Sequence, residues 1–172
     1  TLNEISKILS GSTENMVSIY FTDRHALFEF DQTMVVSRLI EGEYYSIDKM
    51  LSNRYNTKFT VDRKEFLSCI DRATLLVKEE DKKPVIIMVH DDTMEMKINT
   101  VMGRMDEAMD IVKEGDDINI GFNPKFLIDA LRAVDEDQVT MYMVSPKAPC
   151  FIRDEEGMYC YLILPVNFIT ID

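Results

Sequence analysis

Residues that carry most enzyme chemistry are scarce in this sequence. Only two histidines, His25 and His90, occur in 172 residues, which leaves little scope for imidazole-based acid–base or metal chemistry. No Gly-x-x-x-x-Gly-Lys-Ser/Thr loop, Gly-x-Gly-x-x-Gly loop or nucleophile elbow is present, so the phosphate cradles and hydrolase turns built on those motifs are excluded. Cys69, Cys150 and Cys160 are an odd number, lack Cys-x-x-Cys spacing and sit in apolar runs. They are expected to be reduced core residues rather than a disulfide framework. No run of about eighteen apolar residues exists for a membrane span. The start, Thr1-Leu2-Asn3-Glu4, has neither the basic end nor the apolar stretch of a signal peptide. The chain is therefore expected in the cytoplasm, with no membrane partner.

Basic charge is also in short supply: the formal net charge is -12. As a whole-molecule quantity this speaks for solubility and against wholesale nucleic-acid binding. The distribution is uneven, however. Acid collects in Glu79-Glu80-Asp81, Asp91-Asp92, Glu114 to Asp117, Asp135-Glu136-Asp137 and Asp154-Glu155-Glu156. The helical segments are slightly basic, with Arg63, Lys64 and Arg72 against Glu65 and Asp71, and Lys125 and Arg132 against Asp129. Lys7 balances Glu4. Such a distribution permits a polyanion-facing side and is equally that of solvated loops and mixed helix faces.

What the chain does have is apolar residues, 46% of the total, enough for a sizeable core, and an internal repeat. Leu2, Ile5, Ile8 and Leu9 share one helical face; residues 17–21, 26–30 and 34–40 then read as strands. The order returns near the end. Phe126, Leu127, Ala130, Leu131 and Val134 mark a helix over 124–134, followed by strands at 139–143, 150–153 and 159–165. Between them lies a helix over 63–77, with Phe66, Ile70, Ala73 and Val77 on its stripe. Strands follow at 85–89 and 94–99, then a less regular stretch to Val112 and a strand at 118–122. Asn123-Pro124 is a strong helix start, Asn as N-cap and Pro at N1, with Phe122 and Leu127 placed for a hydrophobic staple. Asp62 with Glu65 forms a capping-box pattern before the second helix. Turns are expected at residues 90–93 and 154–157. These amphipathic helix-plus-strands units imply an α+β fold in which helices cover antiparallel sheets. Two units make one complete domain, and the leading unit is the second half of another. The expected boundaries are 1–52 for that half, 53–58 for a linker and 59–172 for the complete domain.

Candidate sites are few. His90-Asp91-Asp92 brings an imidazole and two carboxylates together and would serve a hydrolase or a metal-dependent enzyme, although a turn between two strands explains it better. The twelve methionines, among them Met94, Met96, Met102, Met105 and Met109, read as core at strand spacing or as an adaptable binding surface. Tyr161-Leu162-Ile163-Leu164-Pro165-Val166 is an apolar strand closed by a proline. It reads as a last core strand or as one wall of a groove that takes apolar peptide anchors. A peptide-binding module is thus one of the readings that the sequence leaves open.

Four stretches resemble one family, the bacterial DNA polymerase III beta subunit, or sliding clamp. They are Leu39-Ile40-Glu41-Gly42-Glu43-Tyr44, Ile70-Asp71-Arg72-Ala73, Ile120-Gly121-Phe122-Asn123-Pro124-Lys125-Phe126-Leu127 and Leu162-Ile163-Leu164-Pro165-Val166. The resemblance implies the DNA clamp fold and the C-terminal portion of a non-catalytic processivity factor. Such a factor needs no cofactor, and its full-length subunit closes as a head-to-tail homodimeric ring around duplex DNA without reading sequence. It implies partners that dock by short peptides: the polymerase III alpha subunit, the clamp loader, mismatch-repair and other clamp-binding proteins. By the same resemblance the docking groove uses Tyr45, Lys49 and Met50 near the linker, Lys147 and Pro149 in a nearby loop, and Leu162, Ile163, Leu164, Pro165, Val166 and Asn167 at the C-terminal wall. The family often has proline at the position of Tyr45 and arginine at that of Asn167, and Ile169 to Asp172 extend beyond its usual end. Arg63, Lys64, Arg72, Lys125 and Arg132, with Lys7, Asn123 and Phe126, are the residues expected to face DNA. Leu75, Leu76, Met102, Asp106, Glu107 and Asp110 are expected at the subunit contact.

Overall fold

The structure, a computed structural model, describes residues 1–10, 16–44, 46, 51, 54–77, 83–154 and 156–168. The chain divides into two compact units, Thr1–Leu51 and Ser52–Asp172.

In the first unit the amphipathic pattern forms helix α1 (Leu2–Leu9). It is followed by an antiparallel meander of β1 (Ser18–Phe21), β2 (His25–Phe30) and β3 (Thr33–Arg38). Alternate residues Ala26, Phe28 and Phe30 of β2 close with Ile5 of α1 into a small core, joined by Leu9, Val17 and Val35. Helical spacing grouped Leu2, Ile5, Ile8 and Leu9 correctly, yet only Ile5 is buried, and Leu2 and Ile8 are exposed. Every residue of β1 is exposed as well. The spacing tells which residues share a face and not how much of that face is covered.

The second unit opens with β4 (Thr57–Asp62) running straight into α2 (Arg63–Thr74). Strands β5 (Val85–His90), β6 (Thr93–Thr100), β7 (Gly103–Asp110) and β8 (Val112–Gly115) follow. Then β9 (Ile118–Phe122) leads into α3 (Pro124–Ala133), and β10 (Gln138–Met143), β11 (Cys150–Arg153) and β12 (Cys160–Ile163) complete the unit. Each helix is thus flanked by one leading strand and a trailing three-stranded meander, and the leading strands are exchanged. β4 pairs antiparallel with β10, the first strand after α3, while β9 pairs with β5, the first strand after α2. The results are a five-stranded sheet, β12-β11-β10-β4-β8, and a four-stranded sheet, β7-β6-β5-β9. Helices α2 and α3 pack on each other, and one continuous core runs from Phe59 and Phe66 through Ile87, Met96 and Ile120 to Leu127 and Met141.

Local chemistry starts both helices where the sequence indicates. Asp62 Oδ1 accepts the Glu65 N–H at 2.8 Å, and Asn123 Oδ1 accepts that of Lys125 at 3.0 Å with Pro124 inside the first turn. Phe122 and Leu127, the two sides of the staple, are both fully buried. Each cap contributes about 1 kcal/mol and sets the point at which strand becomes helix.

Several expectations are corrected here. Thr57 and Lys58, assigned to a linker over 53–58, open β4: Thr57, Phe59 and Val61 alternate into the core. The stretch after Asn99 is not irregular but holds β7, paired with β6 along eight residues, and β8. Its alternation is disguised because Met105, Glu107 and Met109 share the inward face and one of them is acidic. Helix α2 ends at Thr74 rather than Val77. Cys69 and Cys150 are buried as expected, and burial pushes the Cys69 thiol up to about 12. Cys160 is exposed instead, because strand alternation puts Ile163 on the core face and Cys160 on the other. The His90 to Thr93 segment is the β5–β6 hairpin, with Asp91 at φ 48° in the left-handed region that turns require.

Phe59 lies on the exchanged strand with no exposure at all. Phe59→Ala is therefore expected to destabilise the unit by about 3–5 kcal/mol, whereas Val112→Ala, on the exposed edge strand β8, should stay within about 0.5 kcal/mol. Urea unfolding followed by far-UV circular dichroism reads both.

Candidate docking pocket and mixed-charge helix face

The strand β12 is an edge strand, and α3 packs beside it. Between them lies an open pocket of about 400 Å³ lined by Phe126, Asp129 and Ala130 of α3 and by Tyr161, Leu162, Ile163 and Leu164. The helical residues are spaced i, i+3, i+4 and so present one face; Asp129 is the only charged residue among the lining. The two walls are joined at one end by the Tyr161 hydroxyl, which donates to the Ala133 carbonyl at 3.4 Å. Beyond Leu164 the chain leaves β12, and the Val166 N–H donates to the Gly121 carbonyl on β9 at 2.8 Å. Phe126 and Leu164 are about half exposed, 52% and 60%. Large apolar side chains left so open on a concave surface suit an apolar partner group, because burying them on contact recovers about 25 cal/mol per Å².

Placement of the remaining sequence-derived residues is mixed. Leu162, Ile163 and Leu164 line the pocket, and Pro165, Val166 and Asn167 continue from it as a tail. Lys147 and Pro149 lie in the β10–β11 loop and outside the lining; the Cys150–Ile163 pairing puts that loop at the Leu164 end of the hairpin. Tyr45, Lys49 and Met50 fall outside the described residues. Phe126, grouped with residues facing DNA, is in the pocket instead. It lines the same pocket as Leu164. Tyr161 belongs to the strand read as a possible groove wall; the facing wall is the part the sequence does not indicate, since Ala130 reads there as core stripe and Asp129 as a balancing charge, although their i+4 and i+3 spacing from Phe126 carries the signal.

The helix face is less basic than the sequence count suggests. Arg72 forks onto both carboxylate oxygens of Glu107 on β7, Lys64 pairs with Asp137 at 2.9 Å, and Arg132 reaches Asp71 at 3.3 Å. Arg63 donates to the backbone carbonyls of Glu136 and Leu131. Lys7 pairs with Glu4 in the first unit. Asn123 is occupied as a helix cap. The excess positive charge of α2 and α3 is therefore offset by Glu107 and Asp137 from neighbouring elements. The Arg72 guanidinium holds the Glu107 carboxyl below its ordinary value, and Lys64 does the same for Asp137. Links from Arg132 to Asp71 and from Arg63 to the Leu131 carbonyl tie α2 to α3.

At the opposite edge of the unit β7 is the outer strand of its sheet. Leu75 and Met102 are exposed, and Leu76 packs partly against the core. Asp106 and Asp110 face outward on the strand, while Glu107 is drawn inward to Arg72 and is an internal ion-pair partner rather than an outward contact. His90 Nδ1 faces Asp117 Oδ2 at 3.2 Å, and Lys113 also bonds that carboxylate. Among the described residues no three of His, Cys, Asp or Glu converge in a metal-binding group, and none of their helices is long and apolar enough to cross a membrane.

A leading strand, a helix and a three-stranded meander, used twice with exchanged strands, define the DNA-clamp fold. Solved structures agree. One from Eubacterium rectale, described as a DNA polymerase III beta subunit, superposes with a TM-score of 0.86 and 62% sequence identity, covering 97% of this chain and 45% of that one. The DNA polymerase sliding clamp of Bacillus subtilis gives 0.83 and 31%, covering 98% and 45%. The beta sliding clamp of Staphylococcus aureus strain Mu50 is 32% identical over 172 residues, which is 96% of this chain and 45% of the relative. Residues 49–167 match the family of the DNA polymerase III beta subunit, C-terminal domain. The chain belongs to that family and spans about half the length of the curated relatives it matches.

The Glu107–Arg72 pair makes a prediction with a defined sign. A glutamate whose folded value lies below its ordinary 4.5 adds stability that is fully present above 4.5 and is lost as pH falls through the lower value. Glu107→Gln should therefore lower stability at neutral pH and flatten the acid limb of the stability–pH curve. Urea midpoints measured across that range would show an unchanged acid limb if the pair contributed nothing.

Proposed function

We propose that this chain is part of a processivity clamp whose full-length subunit closes as a head-to-tail dimeric ring around duplex DNA in the cytoplasm. It tethers the replicative polymerase alpha subunit, the clamp loader, mismatch-repair proteins and other partners, and it catalyses nothing itself. The observation that carries this reading is the apolar pocket between α3 and β12 in a chain of this family. A short peptide would place one apolar anchor between Phe126 and Leu164, with Lys147 and Pro149 supplying further contacts.

Contact with DNA is loose by this reading. Arg63, Lys64, Arg72, Lys125, Arg132 and Lys7 face the phosphates, and exposed ion pairs such as Lys64–Asp137 and Arg132–Asp71 exchange their acidic partners for phosphate at little cost. Near-neutral helices suit a ring that must slide: phosphate contacts fix no sequence, and enclosure rather than affinity retains the clamp. The edge strand β7 with Leu75, Leu76, Met102, Asp106 and Asp110 would meet the neighbouring subunit by strand-to-strand pairing.

Two measurements test this. Titration of this chain with a fluorescent clamp-binding peptide should give a Kd weaker than about 1 µM, equivalent to about -8 kcal/mol, because the α3–β12 pocket takes a single apolar anchor. Leu164→Asp should remove this binding, and a submicromolar Kd would contradict the single-anchor reading. The full-length subunit, loaded onto nicked circular duplex, should stay bound and be released when the circle is linearised. Equal dissociation from both forms would instead favour a peptide-binding module with no ring.

A further inference from the structure

We propose that Gly121 is a positioning residue for the docking pocket, the socket of a latch that holds the C-terminal tail and with it the Leu164 wall. This rests on the reading of the α3–β12 pocket as a docking site. The backbone at Gly121 does not lie in the left-handed region, so chain conformation alone does not demand a glycine there. Space does. A Cβ at this position would stand 2.7 Å from Phe168 Cδ1 and 2.9 Å from the Val166 carbonyl oxygen, distances that side chains do not adopt without displacement. The missing side chain lets the tail cross β9 at contact distance, where the Val166 N–H bonds the Gly121 carbonyl at 2.8 Å.

The latch is connected to both walls of the pocket by stiff paths. On one side β9 passes from Gly121 through the buried Phe122 and the Asn123 cap into α3, which carries Phe126 and Asp129. On the other side Val166 is joined to Leu164 through Pro165, whose ring fixes its own φ. Gly121 and Val166 thus close a loop that runs Phe126, α3, β9, tail and Leu164. β9 and β12 are edge strands of different sheets, so the tail is also the element that spans the two sheets beside the pocket. A tail lifted from Gly121 would carry Leu164 away from Phe126 while the core, which uses neither residue, stayed packed.

The test uses the 172-residue chain and three readouts: exchange of the Val166 amide, the methyl resonances of Leu164, and the Kd for the clamp-binding peptide. In the unaltered chain the Val166 amide should exchange slowly. Gly121→Ala should speed its exchange, shift the Leu164 methyls and weaken peptide binding about tenfold, with the unfolding midpoint moved by no more than about 5 °C. Phe168→Ala leaves Gly121 intact and covers the case in which Gly121→Ala does not fold. It should produce the same changes in smaller degree, and the double variant should be no worse than Gly121→Ala alone. Fast exchange of Val166 in the unaltered chain, or slow exchange in Gly121→Ala, overturns the latch. Faster exchange with unchanged Leu164 methyls and unchanged Kd overturns its positioning role. If the unaltered chain binds no peptide while Gly121→Ala moves both the amide and the methyls, the docking reading fails and the latch stands.

Discussion

The reciprocal exchange of β4 and β9 is the constraint on which the C-terminal unit depends. Each strand is contributed to the sheet built by the other repeat, so neither half completes its sheet alone. Six backbone-paired positions join β4 to β10 and five join β9 to β5, and the side chains facing inward from these strands, Phe59, Val61, Ile120 and Phe122, lie at the centre of a single core. The same strands deliver the helices. Because α2 begins at the residue after β4 ends and α3 is separated from β9 by the Asn123 cap alone, pairing of the strands brings the two helices side by side.

From that arrangement the candidate sites follow. The pocket exists because α3 is placed against the edge of β12, and its lining alternates between a helical face and a strand end. The neighbouring helix surface is populated by arginines and lysines whose partners come from distant parts of the chain: Arg72 with Glu107, Lys64 with Asp137, Arg132 with Asp71. These links offset the slight basic excess of that surface with acids from β7 and from the segment after α3.

The first unit shows the reverse situation. Its helix and meander repeat the pattern of the larger unit, but its core consists of Ile5 and the inward residues of β2, and β1 is exposed on both sides. A three-stranded meander with one helix has little interior, which is the expected consequence of surface-to-volume scaling in so small a body.

Much of this was legible in the residues alone. Alternation and helical spacing placed the three helices of the described residues and most of their strands, Asn123-Pro124 and Asp62 marked two helix starts, and the repeat with its four short motifs was enough to suggest the DNA polymerase III beta family. These are local properties, decided by neighbours within a few positions. What escaped was decided by contacts far apart in sequence. β7 was hidden because Glu107 breaks its apolar face, and the Arg72 guanidinium on another element pairs with that acid there. The slight basic excess of the helices vanished once Glu107 and Asp137 were brought to them. Phe126 carries no local sign that distinguishes a core residue, a DNA-facing residue and a pocket wall. Only the packing of α3 against β12 settles where its ring lies, because exposure is a property of what the folded chain brings alongside and not of the residue itself.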